Sequence, residues 1–159
     1  MREESLINDC IERFAAEPGG LLPLLHAVQE IEGYIPAAAI PAIAKALSLS
    51  QAEVHGVISF YHDFRTAPGG RHTLQLCVAE ACQAVGARDL EAHALAALGM
   101  AMGETSADGQ VTLEPVYCLG NCACSPSVRI DDAVYGRVDN ERLDALLRQL
   151  GIAGRGAQA

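Results

Sequence analysis

The sequence predicts an α+β protein in two parts. Three observations carry this: helical hydrophobic spacing through the first sixty residues, a Pro/Gly break near residue 69, and strand-like alternation mixed with helical runs beyond it.

In the first part, Leu6, Ile7, Cys10, Ile11 and Phe14 recur at helical spacing. LLPLLHAVQEIEG is a second amphipathic run that Gly33 terminates as a C-cap. AAIPAIAKAL is a third helix, provided Pro41 lies in its first turn, where a missing N–H breaks no helical bond. Ser50 followed by Glu53 forms a capping box for QAEVHGVISFY, the fourth. RTAPGGR, residues 65–71, is the expected junction, giving domains of 1–70 and 71–159.

In the second part, HTLQLCV alternates as a strand does, and GARDLEAHALAALG has helical period and a terminal glycine. QVTLEPVYC, SVRID and AVYGRV are three further strands, and NERLDALLRQLG is a closing helix. The order β, α, β, β, β, α suggests a small sheet with helices packed on it, an α+β or thioredoxin-like arrangement. The tail GIAGRGAQA lacks large apolar side chains and is expected to fray.

Composition excludes several classes of function. The 159 residues are 50% hydrophobic and 19% charged, ordinary for a soluble protein with one core or two small ones. With 11 basic and 20 acidic side chains the net charge is −9, and neither half carries a basic excess, so nucleic acid is not an expected partner. No apolar run approaches the roughly 20 residues of a membrane span, and MREESLINDCIERF has no signal-peptide core. A cytoplasmic location without membrane contact follows as the expectation. In that compartment six cysteines are thiols or metal ligands sooner than disulfides.

Their spacing is informative. Cys77-x4-Cys82 and, 36 positions on, Cys118-x3-Cys122 each fall where a predicted strand gives way to a loop, so four thiolates can converge beyond one sheet edge. Zinc accepts four such ligands, usually with two to four residues inside each pair. A 2Fe-2S cluster has two irons, each of which takes one cysteine pair. A redox dithiol commonly uses Cys-x-x-Cys, which is absent, and is the lesser alternative. Spacing alone leaves iron–sulfur and zinc both open.

HGVISFYHDF, CVAEACQAVGA and EPVYCLGNC resemble the thioredoxin-like 2Fe-2S ferredoxin family, and the likeness runs from about Leu21 to Leu150. That family includes the small NADH-module subunit of respiratory complex I and its counterparts in NAD-linked hydrogenases and formate dehydrogenases. The resemblance implies a helical docking domain at the amino terminus followed by a thioredoxin-like 2Fe-2S ferredoxin domain. It maps the cluster ligands onto Cys77, Cys82, Cys118 and Cys122, and it implies single-electron exchange with the FMN of an NADH-binding flavoprotein subunit. GLLPLLHAVQEIEGYIP and CLGNCACSPSV most resemble the gamma subunit of soluble NAD-dependent formate dehydrogenases, which implies a larger substrate-oxidising subunit as a further partner.

Other residues carry bland readings. Cys10 shares a helical face with Ile7, Ile11 and Phe14 and is expected to pack in the core. Cys124 departs from the four-ligand pattern and is expected to be a spare thiol near the metal. Ala81, Gln83, Gly120 and Asn121 flank the ligands as candidate backbone donors to sulfur, and Gly120 permits a positive φ. PAIAKALSLSQAEVHGVISFY resembles a helix-turn-helix, but its second helix offers no Arg or Lys to DNA. His55 and His62 are assigned no chemistry. No Gly-x-Gly-x-x-Gly or Walker loop is present, so nothing indicates that this chain binds NAD or flavin.

Overall fold

The computed structural model describes residues 2–152, with side chains from Leu6 onward. The expected fraying of the tail concerns residues 151–159, most of which lie outside the described range. The chain divides into two compact units, Met1–Pro68 and Gly69–Ala159.

The first unit is helical: α1 (Arg2–Ala15), α2 (Leu21–Glu32), α3 (Ile40–Ala46, entered through a 3-10 turn at Ala37–Ala39) and α4 (Gln51–Phe60). Leu24, Leu25 and Val28 of α2 are fully buried with Ile43 of α3 and Val54 of α4, and Ile11 and Phe14 of α1 join them. Helix α2 stops where Gly33 takes φ 79° and its N–H donates to the Gln29 carbonyl at 2.7 Å. Pro41 stands in the first turn of α3. Ser50 caps α4 reciprocally: the Glu53 N–H donates to Ser50 Oγ at 3.2 Å, and the Ser50 N–H donates to Glu53 Oε2 at 2.8 Å. Beyond α4, Gln29 clamps the chain, donating from Nε2 to the Asp63 carbonyl and accepting the Arg65 N–H at Oε1, both at 2.7 Å. Phe64 closes the core at 7% exposure, whereas Phe60 and Tyr61 stay exposed at 74% and 43%.

The second unit runs β1 (His72–Cys77), α5 (Glu80–Gln83), α6 (Ala87–Leu98), β2 (Val111–Val116), a 3-10 turn (Cys122–Cys124), β3 (Ser127–Ile130), β4 (Ala133–Gly136) and α7 (Asn140–Gln149). The sheet order is β2-β1-β3-β4; β1 and β2 are parallel, and the other two pairings are antiparallel. A parallel β1–β2 pair requires a crossover, which α5 and α6 supply. Alternation sorts the sheet faces: Leu74 is in register with Leu113 and Ile130, and Leu76 with Val128. These pack with Leu90 and Ala94 of α6 and with Leu143, Leu146 and Leu147 of α7 into one core. Asp139 caps α7 by accepting the Arg142 N–H at 2.8 Å, and His93 of α6 meets Asp144 of α7 at 2.7 Å.

The short helix α5 and the two 3-10 turns are absent from the sequence reading, because three or four residues are too few to show a period. Two of them carry cysteines.

Candidate metal centre

Cys77 is the last residue of β1, and its partner in register is Val116 at the end of β2. The parallel pair therefore delivers both chain segments to the same end of the sheet. Beyond β1 the Val78 N–H still bonds the Val116 carbonyl at 2.9 Å; Ala79 is then extended, and α5 begins. Cys82 lies on α5, not in an open loop, and is 2% exposed; Cys77 is 4% exposed. Both thiols sit in a small apolar cluster with Ala87, packed against by Ala79, Val116 and Leu119. Gln83 fixes the segment by donating from Nε2 to the Val78 carbonyl at 2.6 Å, and Arg88 donates to Gln83 Oε1 at 2.9 and 3.1 Å.

The second pair follows β2. Cys118 has φ 89°, a conformation that costs a non-glycine residue of order 1–3 kcal/mol and that the surroundings must enforce. Gly120 takes φ 73° and directs its N–H at Cys118 Sγ, 3.3 Å away. The chain then enters the 3-10 turn, which brings Cys122 Sγ to 3.7 Å from Cys118 Sγ. This turn is tied to β3 and β4. Asn121 Nδ2 donates to Ser127 Oγ of β3 at 3.1 Å, and the N–H of Arg137, which directly follows β4, donates to the Cys124 carbonyl at 2.6 Å; within the turn, the Ser125 hydroxyl donates to the Cys122 carbonyl at 2.9 Å. Gly136 of β4 approaches so closely that a Cβ there would stand 2.7 Å from Cys124 Cβ.

The two pairs meet. Burial alone would push the Cys77 thiol up, but the Ala79 N–H, the Cys82 side chain and the Leu119 and Cys118 N–H groups outweigh it, and the net shift is downward. Cys122 is pushed up, first by its hydrogen bond with Cys118 and then by the charge of Cys118, with burial and the charges of Cys82 and Cys77 adding to it. Cys82 Sγ also lies 3.4 Å from Ser125 Oγ, on the segment that follows the second pair. Four thiols thus share one end of the sheet, supplied two from each segment. Among the described residues no group of three or more His, Cys, Asp or Glu side chains is arranged to hold a metal ion. Two thiol pairs suit two irons, each taking one pair, and equally a single tetrahedral ion. Buried sulfur with N–H dipoles aimed at it further suits a negatively charged cluster.

Of the flanking donors expected from sequence, Gly120 is the one whose N–H bonds a cysteine sulfur, that of Cys118. The Gln83 N–H bonds the Ala79 carbonyl, and Asn121 acts through its side chain; Ala79 and Leu119 supply N–H groups that sequence reasoning missed. Gly136, alone among these, carried a readable signal: a glycine inside a strand marks close backbone approach. Cys124 is half-buried against β4 and is not among the thiols that raise Cys122. Cys10 packs against the helical core. His55 is exposed, and His62 Nδ1 lies 3.4 Å from the Phe60 carbonyl.

A mixed four-stranded sheet with two thiol pairs at one end is an α+β scaffold of thioredoxin-like type. The chain belongs to the thioredoxin-like [2Fe-2S] ferredoxin family, whose model matches residues 7–151, and its cofactor is a 2Fe-2S cluster. It is 36% identical over 155 residues to an NADH-quinone oxidoreductase subunit of Rhizobium meliloti (strain 1021), covering 98% of this chain and 91% of that one. It is 31% identical over 140 residues to the NADP-reducing hydrogenase subunit HndA of Solidesulfovibrio fructosivorans, covering 87% and 81%. Among solved structures, an air-oxidised NAD+-reducing [NiFe]-hydrogenase superposes with a TM-score of 0.70 at 27% identity; the match spans 83% of this chain and 23% of that one. No described helix is long and apolar enough to cross a membrane.

Proposed function

We propose that Cys77, Cys82, Cys118 and Cys122 hold the cluster, one pair per iron, and that the chain is an electron-transfer subunit of an NAD-linked oxidoreductase. The observation that carries the ligand set is geometric: Cys118 Sγ and Cys122 Sγ lie 3.7 Å apart, and Cys82 Sγ, in one buried cluster with Cys77, lies 3.4 Å from Ser125 Oγ at the end of the turn that bears Cys122. A bound 2Fe-2S cluster supplies a one-electron couple, with a formal charge of about −2 oxidised and −3 reduced when four thiolates are counted. The chain's own residues set where that charge sits. Ala79, Cys118 and Leu119 present N–H dipoles to Cys77, and Gly120 presents one to Cys118. The apolar packing around Cys77 and Cys82 keeps water from the first pair.

In this reading the cluster exchanges single electrons with the FMN of a partner NADH-binding flavoprotein, which performs the hydride chemistry that this chain has no motif for. Residues 1–70 form the docking part, and residues 71–159 carry the cluster. The relatives serve quinone-reducing and hydrogenase complexes. Formate as the substrate of the larger subunit rests on the two resembling stretches, GLLPLLHAVQEIEGYIP and CLGNCACSPSV.

Serine substitution tests the ligand set. Cys82→Ser and Cys118→Ser are expected to lose most of the visible absorbance and of the iron, and Cys10→Ser to keep both. Retention in the first two refutes the assignment. Co-purification of the tagged chain from its native cells should bring down an FMN-containing subunit and formate-dependent NAD reduction. A complex that reduces NAD with hydrogen, or that oxidises NADH without formate activity, refutes the formate reading and leaves the carrier reading standing.

A further inference from the structure

Ser125 ends the 3-10 turn that bears Cys122, and its backbone is extended at φ −67°, ψ 152°. Its Oγ lies 2.9 Å from the Cys122 carbonyl oxygen and 3.4 Å from Cys82 Sγ. One hydroxyl therefore touches both cysteine pairs, across a sequence separation of 43 residues.

A serine hydroxyl has one proton and two acceptor lone pairs. While Cys82 is a free thiol, its S–H donates to Ser125 Oγ, and the serine proton goes to the Cys122 carbonyl. A metal-bound cysteine has no proton to give, so the contact persists as a hydrogen bond only if the serine becomes the donor. Two acceptors then compete for one proton, a neutral carbonyl and an anionic sulfur. Bonds to ionised acceptors are roughly twice as strong as neutral ones. Cys82 is 2% exposed, so water does not compete for its sulfur.

We infer that Ser125 is a redox-tuning residue whose hydroxyl turns from the Cys122 carbonyl to the Cys82 sulfur when the cluster is bound. The inference rests on the ligand role proposed above for Cys82. Reduction adds one electron from the partner's reduced flavin and no proton; the serine proton stays on Oγ. The added negative charge is shared with the cysteine sulfurs, so a donor aimed at one of them stabilises the reduced form more than the oxidised form and raises the potential. Ser125 reaches this position because the turn and its ties to β3 and β4 carry it there.

The test is a redox titration of the anaerobically purified, cluster-loaded chain, followed by electron paramagnetic resonance, with iron and sulfide assayed on each sample. The variants are Ser125→Ala, Ser125→Gly and Ser125→Thr. Removing the hydroxyl should leave the cluster content unchanged and shift the electron-exchange equilibrium against reduction by about tenfold, which is ~59 mV more negative for one electron. Ser125→Thr, which keeps the hydroxyl, should restore the wild-type potential. A fully loaded Ser125→Ala protein at the wild-type potential overturns the inference. So does failure of both the Ala and Gly variants to load while Thr loads, which would make the hydroxyl a structural strut. Full cluster content in Cys82→Ser identifies the separate case in which the ligand reading itself is wrong.

Discussion

Replacing Gly136 by alanine probes the contact that holds the second cysteine pair in place. A Cβ at this position would lie 2.6 Å from Asn121 Nδ2 and 2.7 Å from both Cys124 Cβ and the Cys124 carbonyl oxygen. Carbon atoms in good contact stand about 3.5–4.0 Å apart, so the shortfall is roughly 1 Å. Two of the three atoms cannot rotate away, because Cys124 Cβ and the carbonyl are fixed to the backbone. The third belongs to a side chain already engaged with Ser127. Strand β4 and the ligand turn must separate, which strains the 2.6 Å bond from the Arg137 N–H to the Cys124 carbonyl. Overpacking costs about 1–3 kcal/mol, and a weakened backbone bond adds ~1 kcal/mol, giving a loss of about 2–4 kcal/mol. For a chain of this length that lowers the melting temperature by roughly 4–16 °C. Gly120→Ala is the control. Nothing lies within 4 Å of its Cβ, so only the φ of 73° is penalised, by about 1–2 kcal/mol. Thermal unfolding by circular dichroism, with iron content measured on the same samples, reads both effects. A Gly136→Ala protein that melts within about 1 °C of wild type with full iron refutes the claim that this approach positions the ligand turn.

Two further predictions concern the scaffold. Ser50→Ala removes the reciprocal cap of α4 and should destabilise the chain by ~1 kcal/mol, seen as a lower urea midpoint at unchanged slope; Ser50→Asp should recover most of it. Asp131 receives the Thr73 N–H at 2.9 Å and meets His72 Nδ1 at 2.8 Å. Burial would raise its carboxyl, but the His72 bond, the Thr73 N–H and the His72 charge together hold it below the ordinary value. A depressed folded value contributes stability that is complete above the unfolded pKa of about 3.9 and is lost as pH falls through the lower folded one. The side chain is 46% exposed, so solvent screening keeps the effect under ~1 kcal/mol. Comparing urea midpoints of wild type and Asp131→Asn, the gap should shrink as pH falls below about 4; a gap that widens below that pH contradicts this.

How much of this was legible in the sequence depended on how local each feature is. The capping box at Ser50, the stop at Gly33 and the alternation in HTLQLC are local signals, and each stands in the structure. The sheet order β2-β1-β3-β4 was not legible, since pairing joins Cys77 to Val116 across 39 residues and no pattern in either strand names its neighbour. The cysteine spacing pointed to convergence at the strand ends without showing how it is achieved. Cys82 comes in on a four-residue helix, Cys118 is held at φ 89°, and Cys122 is turned toward it by a 3-10 turn braced from β3 and β4. Ser125 and Leu119 escaped notice because an isolated Ser or Leu carries no pattern; only the folded chain shows which sulfur each faces. The aromatic run VISFYHDF divides in a way periodicity could not show, with Phe64 in the core and Phe60 exposed.

The central claim is that four thiols at one end of the sheet hold a two-iron cluster with a one-electron couple. Its most direct test is an electron paramagnetic resonance comparison of anaerobically purified protein before and after dithionite, with iron, sulfide and zinc assayed on the same sample. The account predicts two irons and two acid-labile sulfides per chain and a rhombic signal that appears only on reduction. A colourless protein with one zinc and no sulfide would contradict it.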